Sequence, residues 1–168
     1  MKTTDPALKG PSSRADETAL GSPDSLGNDL IMAKPAFVAW SQHRVLYADT
    51  DAMGIVYNGA YFRFFERARD EYLRQRGMPY VAIEERGLST PLTEAYAHYY
   101  SSFHYDEIIT MECWISSIKK ASFRFEYRLF LPEKPQETKV GGYTTLAVLD
   151  KASQKICKIP DWMMELLI

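Results

Sequence analysis

One segment constrains this chain more than any other: between Ala60 and Arg76, the residues Tyr61, Phe65, Ala68 and Tyr72 recur at helical spacing on a single stripe. Phe62 and Phe64 add aromatic surface on other sides of the same turns, so the first half of this helix has to be covered by protein around most of its circumference. Gly77 and Pro79 end it. The second half reads as wet, with Asp70 and Arg74 at the favourable i, i+4 spacing, a pair that adds about 0.3 kcal/mol.

No second long helix accompanies it. Phe37 to Tyr47 reads as a strand before the helix, and Leu88 to Tyr100, Glu107 to Ser117, Ala121 to Leu131 and Lys139 to Leu149 read as four strands after it. In the third of these four, Phe123, Phe125, Tyr127 and Leu129 share one face while Arg124, Glu126 and Arg128 share the other, as in an antiparallel sheet packed on one side. Tyr80 to Glu85 adds a short helical piece, and Asp161 is expected to cap a last turn carrying Trp162 and Leu166. The order predicts an α+β fold in which a curved antiparallel sheet wraps around one long central helix. An uncovered edge strand in such a sheet favours extension through a second copy.

The folded domain is expected over residues 37–168. Met1 to Ala36 is rich in Pro, Gly, Ser, Asp and Ala with few large apolar residues, too few to offset the entropy of ordering, and reads as a disordered extension. The first residues lack the apolar run of a secretory signal, no stretch is long enough to span a bilayer, and the early acidic residues disfavour a transit peptide, so the expected compartment is the cytoplasm. Twenty Lys and Arg against twenty-two Asp and Glu give a net charge of −2, which supplies no global field for nucleic acid or an anionic membrane. Cys113 lies in the alternation Ile109, Met111, Cys113, Ile115 and reads as a buried thiol; neither it nor Cys157 belongs to a zinc-binding cluster. His43, His98 and His104 have no metal-ligand spacing, and no GxSxG motif is present, so neither a metal, a cofactor nor a serine triad is expected.

Chemistry concentrates between the first strand and the helix. Ala48-Asp49-Thr50-Asp51-Ala52-Met53-Gly54 is a cluster of turn formers. It leads into a helix whose first amides lack internal partners and carry the positive end of the peptide dipole. A carboxylate on this loop and a free amide at the helix start, such as that of Asn58, are the two groups that thioester hydrolysis requires: one to attack or to activate water, the other to hold the oxyanion. Asp-rich loops before helices are more often turns and caps, so the residues alone leave both readings open; the spacing does not match an EF-hand.

The run from Arg44 to Arg69, with Asp49-Thr50-Asp51-Ala52-Met53-Gly54, Tyr57-Asn58-Gly59 and Phe64-Phe65-Glu66-Arg67, resembles the signature of hot-dog-fold thioesterases of the 4-hydroxybenzoyl-CoA thioesterase type, including the Tol-Pal-associated acyl-CoA thioesterases. Weaker similarity continues through Thr93-Glu94, Tyr105-Asp106-Glu107 and Lys119-Lys120 as far as Leu149. The resemblance implies a homodimer or homotetramer acting on an acyl-CoA substrate, with Asp51 as the catalytic carboxylate, Asp49 in support and the Asn58 backbone amide polarising the carbonyl. It also implies Lys119 and Lys120 as contacts to the phosphates of CoA, and Tyr57 and Tyr61 are expected to help line the acyl pocket. Many Tol-Pal-associated members carry His at the position of Asn58, and Ser102 and His104 replace the Pro and Arg common before the acidic pair. Asn transfers no proton at neutral pH but its amide can still hydrogen-bond. A hot-dog hydratase or dehydratase and a non-catalytic acyl-thioester-binding module are the alternatives.

Overall fold

The computed structural model describes Pro35 and residues 37–168. The expected extension over residues 1–36 lies, Pro35 aside, outside them. The chain forms β1 (Ala39–Arg44), α1 (Ala60–Gln75), α2 (Tyr80–Glu85), β2 (Leu88–Ser89), β3 (Leu92–Tyr99), β4 (Ile108–Ile118), β5 (Ser122–Phe130), β6 (Val140–Ala147), β7 (Leu149–Asp150), β8 (Lys155–Ile156) and α3 (Asp161–Leu167). Five strands pair antiparallel in the order β1-β4-β5-β6-β3, and β2, β7 and β8 form a small second sheet. This is the hot-dog arrangement, with α1 lying in the curve of the larger sheet.

Side-chain parity explains the packing. Met111 faces Leu129, Cys113 faces Tyr127 and Ile115 faces Phe125 across β4 and β5, and these inward residues, all buried except the half-buried Ile115, join Tyr61, Phe64, Phe65, Ala68 and Tyr72 of α1 in one core. Burial pushes the Cys113 thiol well above its ordinary pKa, which suits packing and not reactivity. Phe65 stacks on Tyr127 with centroids 4.3 Å apart and planes 7° from parallel. The helix can come this close because β6 carries Gly142 opposite: a Cβ there would sit 2.3 Å from the Tyr96 carbonyl and 2.9 Å from the Phe65 ring. Arg69 donates to the hydroxyls of Tyr127 and Thr144, so this polar spot on the inner face is satisfied, whereas the buried Ser41 hydroxyl of β1 has no partner among the described residues.

Several expectations need correction. The strand expected over Leu88 to Tyr100 is broken at Thr90-Pro91, where the chain leaves the small sheet for the large one; Pro91 has no N–H to give, but its carbonyl accepts from Ala147. The strand expected to reach Leu149 ends at Ala147, and Leu149–Asp150 pairs instead with β2 and β8. Asp161 is the first residue of α3 and not its cap, which is Pro160. The second half of α1 is less wet than expected: Tyr72 and Leu73 are buried, Arg76 donates to the carbonyls of Glu165 and Leu166, and Gln75 bonds Glu71 where an Asp70–Arg74 pair was expected.

The two outer strands of the large sheet differ. β1 is short, and β3 presents Leu92, Glu94, Ala95, Tyr96, His98 and Tyr99 to solvent over eight residues, only Ala97 being half-buried. No helix among the described residues is long and apolar enough to cross a membrane.

Candidate active site

Asp49 ends a short 3-10 turn, Tyr47–Asp49, and is 7% exposed. One carboxylate oxygen accepts from His43 Nε2 and from the Leu46 amide, each at 3.0 Å; the other accepts from Arg63 Nη2 at 3.0 Å. Its backbone carbonyl accepts the Tyr57 N–H at 2.8 Å. One residue thus ties β1, both ends of the loop and α1 together. Arg67 Nη1, always a donor, lies 3.1 Å from His43 Nδ1, which places the imidazole proton on Nε2, facing Asp49. Burial would raise the Asp49 carboxyl, but the His43 and Leu46 hydrogen bonds and the positive charge of Arg63 outweigh it and hold the group below its usual range.

This sets a pH dependence. The unfolded chain titrates Asp49 at about 3.9 and the folded chain lower, so as pH falls the unfolded state takes the proton first; the stabilisation is intact above about pH 5 and is lost through the folded value. The melting midpoint of an Asp49→Asn variant is expected to lie below that of the natural chain by a constant amount from about pH 7 to 5, the gap narrowing below about pH 4. A gap unchanged down to about pH 2 would show that the carboxylate charge is not what the cluster uses.

Between the two ends that Asp49 clamps, the loop turns back on itself. Asp51 N–H donates to the Ile55 carbonyl and Gly54 N–H to the Asp51 carbonyl, both at 2.9 Å, with Gly54 at φ 73° as the turn demands. Thr50 then pairs with Val56, and Ile55 with His104. Asp51 is half-buried; its Oδ1 accepts the Met53 N–H at 2.8 Å, and no donor among the described residues takes its Oδ2.

At the helix start, nearly every polar group around one amide is engaged. The Tyr57 N–H goes to Asp49, the Tyr57 carbonyl accepts the Ala60 N–H at 2.8 Å, the Asn58 side-chain oxygen accepts the Gly59 N–H at 3.0 Å, and the Asn58 carbonyl accepts the Tyr99 hydroxyl at 3.1 Å. Among the described residues, no acceptor takes the Asn58 N–H. Because it is trans to a carbonyl turned toward Ala60, this N–H is aimed away from the helix. A Cβ at Gly59 would sit 2.6 Å from the ring of the exposed Tyr57, so a larger residue there would push that ring aside.

The other residues singled out from the sequence are placed unevenly. Tyr57 is 55% exposed beside Asn58, whereas Tyr61 is 2% exposed and packs on Phe64, Tyr99 and Phe103. Its hydroxyl is pushed up to about 12, chiefly by burial, against which the Phe103 amide works, while Tyr99, Glu107 and Asp51 nearby raise it further. Lys119 and Lys120 are exposed in the turn after β4, and the eleven residues of that strand separate them from the loop end of the sheet by on the order of 35 Å. A cavity of about 300 Å³ lined by Phe37, Tyr72, Ile115, Ile118 and Leu167 borders neither Asp51 nor Asn58. Sequence reasoning gives no site role to His43, Arg63 or Arg67, and offers Tyr99 only as one of several tyrosines able to line an acyl pocket; for His43 the available signal is its inward parity with Ala39 and Val45.

The family described as the thioesterase-like superfamily matches residues 45–167. The acyl-CoA thioesterase YbgC of Haemophilus influenzae is 39% identical over 87 residues, covering 51% of this chain and 64% of that protein. The 4-hydroxybenzoyl-CoA thioesterase of a Pseudomonas species is 31% identical over 85 residues, 49% of this chain and 60% of that protein. The crystal structure of a hypothetical protein from Aquifex aeolicus superposes with a TM-score of 0.72 at 31% identity, covering 77% of this chain and 98% of that one.

Proposed function

This chain belongs to the thioesterase-like superfamily, and we propose that it hydrolyses an acyl-CoA thioester to free acid and CoA, with Asp51 as nucleophile or general base and the Asn58 amide holding the oxyanion. The observation that carries this reading is the lone, aimed N–H of Asn58 on the return of a loop that presents a half-buried carboxylate with one free oxygen. The two named thioesterases among the relatives support the thioester class.

The hydratase reading needs a histidine free to move a proton. His43 is beside the helix, but one nitrogen faces Arg67 and the other Asp49, so it has none to spare. His104, on the segment paired with Ile55, is exposed, with Nδ1 3.7 Å from Glu107. An assay that separates the two chemistries is release of free thiol across short, long and aromatic acyl-CoAs, run beside an enoyl-CoA hydration assay. Thiol release from at least one class is expected; binding without release, or hydration alone, would overturn the proposal.

The working unit is a homodimer joined through β3. Its bare ladder of amides and carbonyls is a ready strand-pairing edge. Antiparallel pairing about a two-fold axis puts the Leu92 end of one β3 beside the Tyr99 end of the other, and so carries the Lys119–Lys120 turn of one subunit toward the Asp51 end of its partner. Within one subunit those lysines are too far away to hold the phosphates of a CoA whose thioester reaches Asp51, so their proposed role depends on this assembly. A single-chain mass in solution would overturn this assembly.

A further inference from the structure

We propose that Tyr99 is a positioning residue that keeps the Asn58 amide on target, joining it to the edge strand. The inference rests on the proposed role of that amide. The aim of the Asn58 N–H is set by the peptide plane between Tyr57 and Asn58, hinged at ψ of Tyr57 and φ of Asn58. The Tyr57 carbonyl, which lies in that plane, accepts from Ala60, and the Tyr57 N–H, in the plane before it, donates to Asp49. Beyond its side-chain bond to the Gly59 N–H, Asn58 offers one further anchor, its carbonyl, and the group on it is the Tyr99 hydroxyl at 3.1 Å.

Tyr99 is itself braced. Its ring is 43% exposed, but one face packs on Tyr61 with centroids 5.2 Å apart, and Tyr61 sits on Phe103, so the hydroxyl is backed by a chain of rings. Like any tyrosine it carries its proton at neutral pH, and burial raises its pKa further from the ordinary value. Tyr99 is also the last residue of β3 and is paired on one side only, with Val140. Anything that covers that edge therefore bears on the residue holding the amide.

Tyr99→Phe removes the hydroxyl and keeps the ring. The expected result is a fall in kcat of about tenfold, short of the roughly 100- to 1,000-fold cost of deleting an oxyanion donor, with KM within about twofold because an interaction used mainly in the transition state has changed. Melting midpoint and oligomeric state should match those of the natural chain. Tyr143→Phe, which removes a hydroxyl bonded to Glu94 on the outer face of the same sheet, should leave kcat unchanged. Asp51→Asn is measured alongside: undiminished turnover there sinks the underlying reading. If Asp51→Asn is inactive while Tyr99→Phe turns over like the natural chain, or loses kcat only together with melting midpoint or assembly, the inference about Tyr99 alone is overturned.

Discussion

Replacing Asp51 by Asn is expected to lower kcat on an acyl-CoA about 100- to 10,000-fold while leaving the fold intact. Asn keeps the shape of the side chain, and its carbonyl oxygen can still accept the Met53 N–H that Asp51 Oδ1 accepts at 2.8 Å, so the loop keeps its closure. What it loses is the negative charge and the basicity, which both routes from a thioester to the acid need. Because Asp51 is half-buried and its carboxylate bonds only that one amide among the described residues, the exchange strands no buried donor. The melting midpoint should therefore stay close to that of the natural chain. Turnover near the natural rate would remove Asp51 from the chemistry, and with it the proposed mechanism.

Phe65→Ala is expected to cost about 3–5 kcal/mol, the range for emptying a fully buried aromatic site. That is a large share of the roughly 5–15 kcal/mol by which a domain is stable. Phe65 is 0% exposed and sits where α1, β5 and β6 meet, stacked on Tyr127 and set against the α-carbon of Gly142. The cavity cannot close cheaply, because the ring fills the space that a glycine backbone leaves open. Chemical denaturation reads the loss as a lower midpoint with unchanged slope. A cost below about 1 kcal/mol would mean that the helix and sheet can slide together, against the close contact seen at Gly142.

The central helix and the main strands were legible in the sequence because their parity runs for many residues: Tyr61, Phe65, Ala68 and Tyr72 are all buried, as are Phe123, Phe125, Tyr127 and Leu129. The small sheet was not, because two-residue strands such as Leu88–Ser89 and Lys155–Ile156 have no period to read. The same limit applies to the site. Asp49 and Asp51 stood out as a pair, but what separates them is tertiary: His43 comes from six residues before, Arg63 from fourteen after, and Tyr57 folds back along the loop onto the Asp49 carbonyl. Tyr61 fitted both the core stripe and a pocket wall, and the rings of Phe64, Tyr99 and Phe103 around it favour the core. The distance between the Lys119–Lys120 turn and Asp51 follows from the direction of β4, which spacing along the chain does not encode.

With most of its polar neighbours engaged inside the chain, the Asn58 amide is left to look outward for a partner. A neutral thioester oxygen taking the place of water swaps one hydrogen bond for another at a net gain of about 0.5–1.5 kcal/mol at most. An alkoxide-like oxygen forms a charge-assisted bond of roughly twice the strength, with no backbone left to rearrange. In its proposed role such a donor does little for ground-state affinity, and its whole advantage falls on the passage over the barrier.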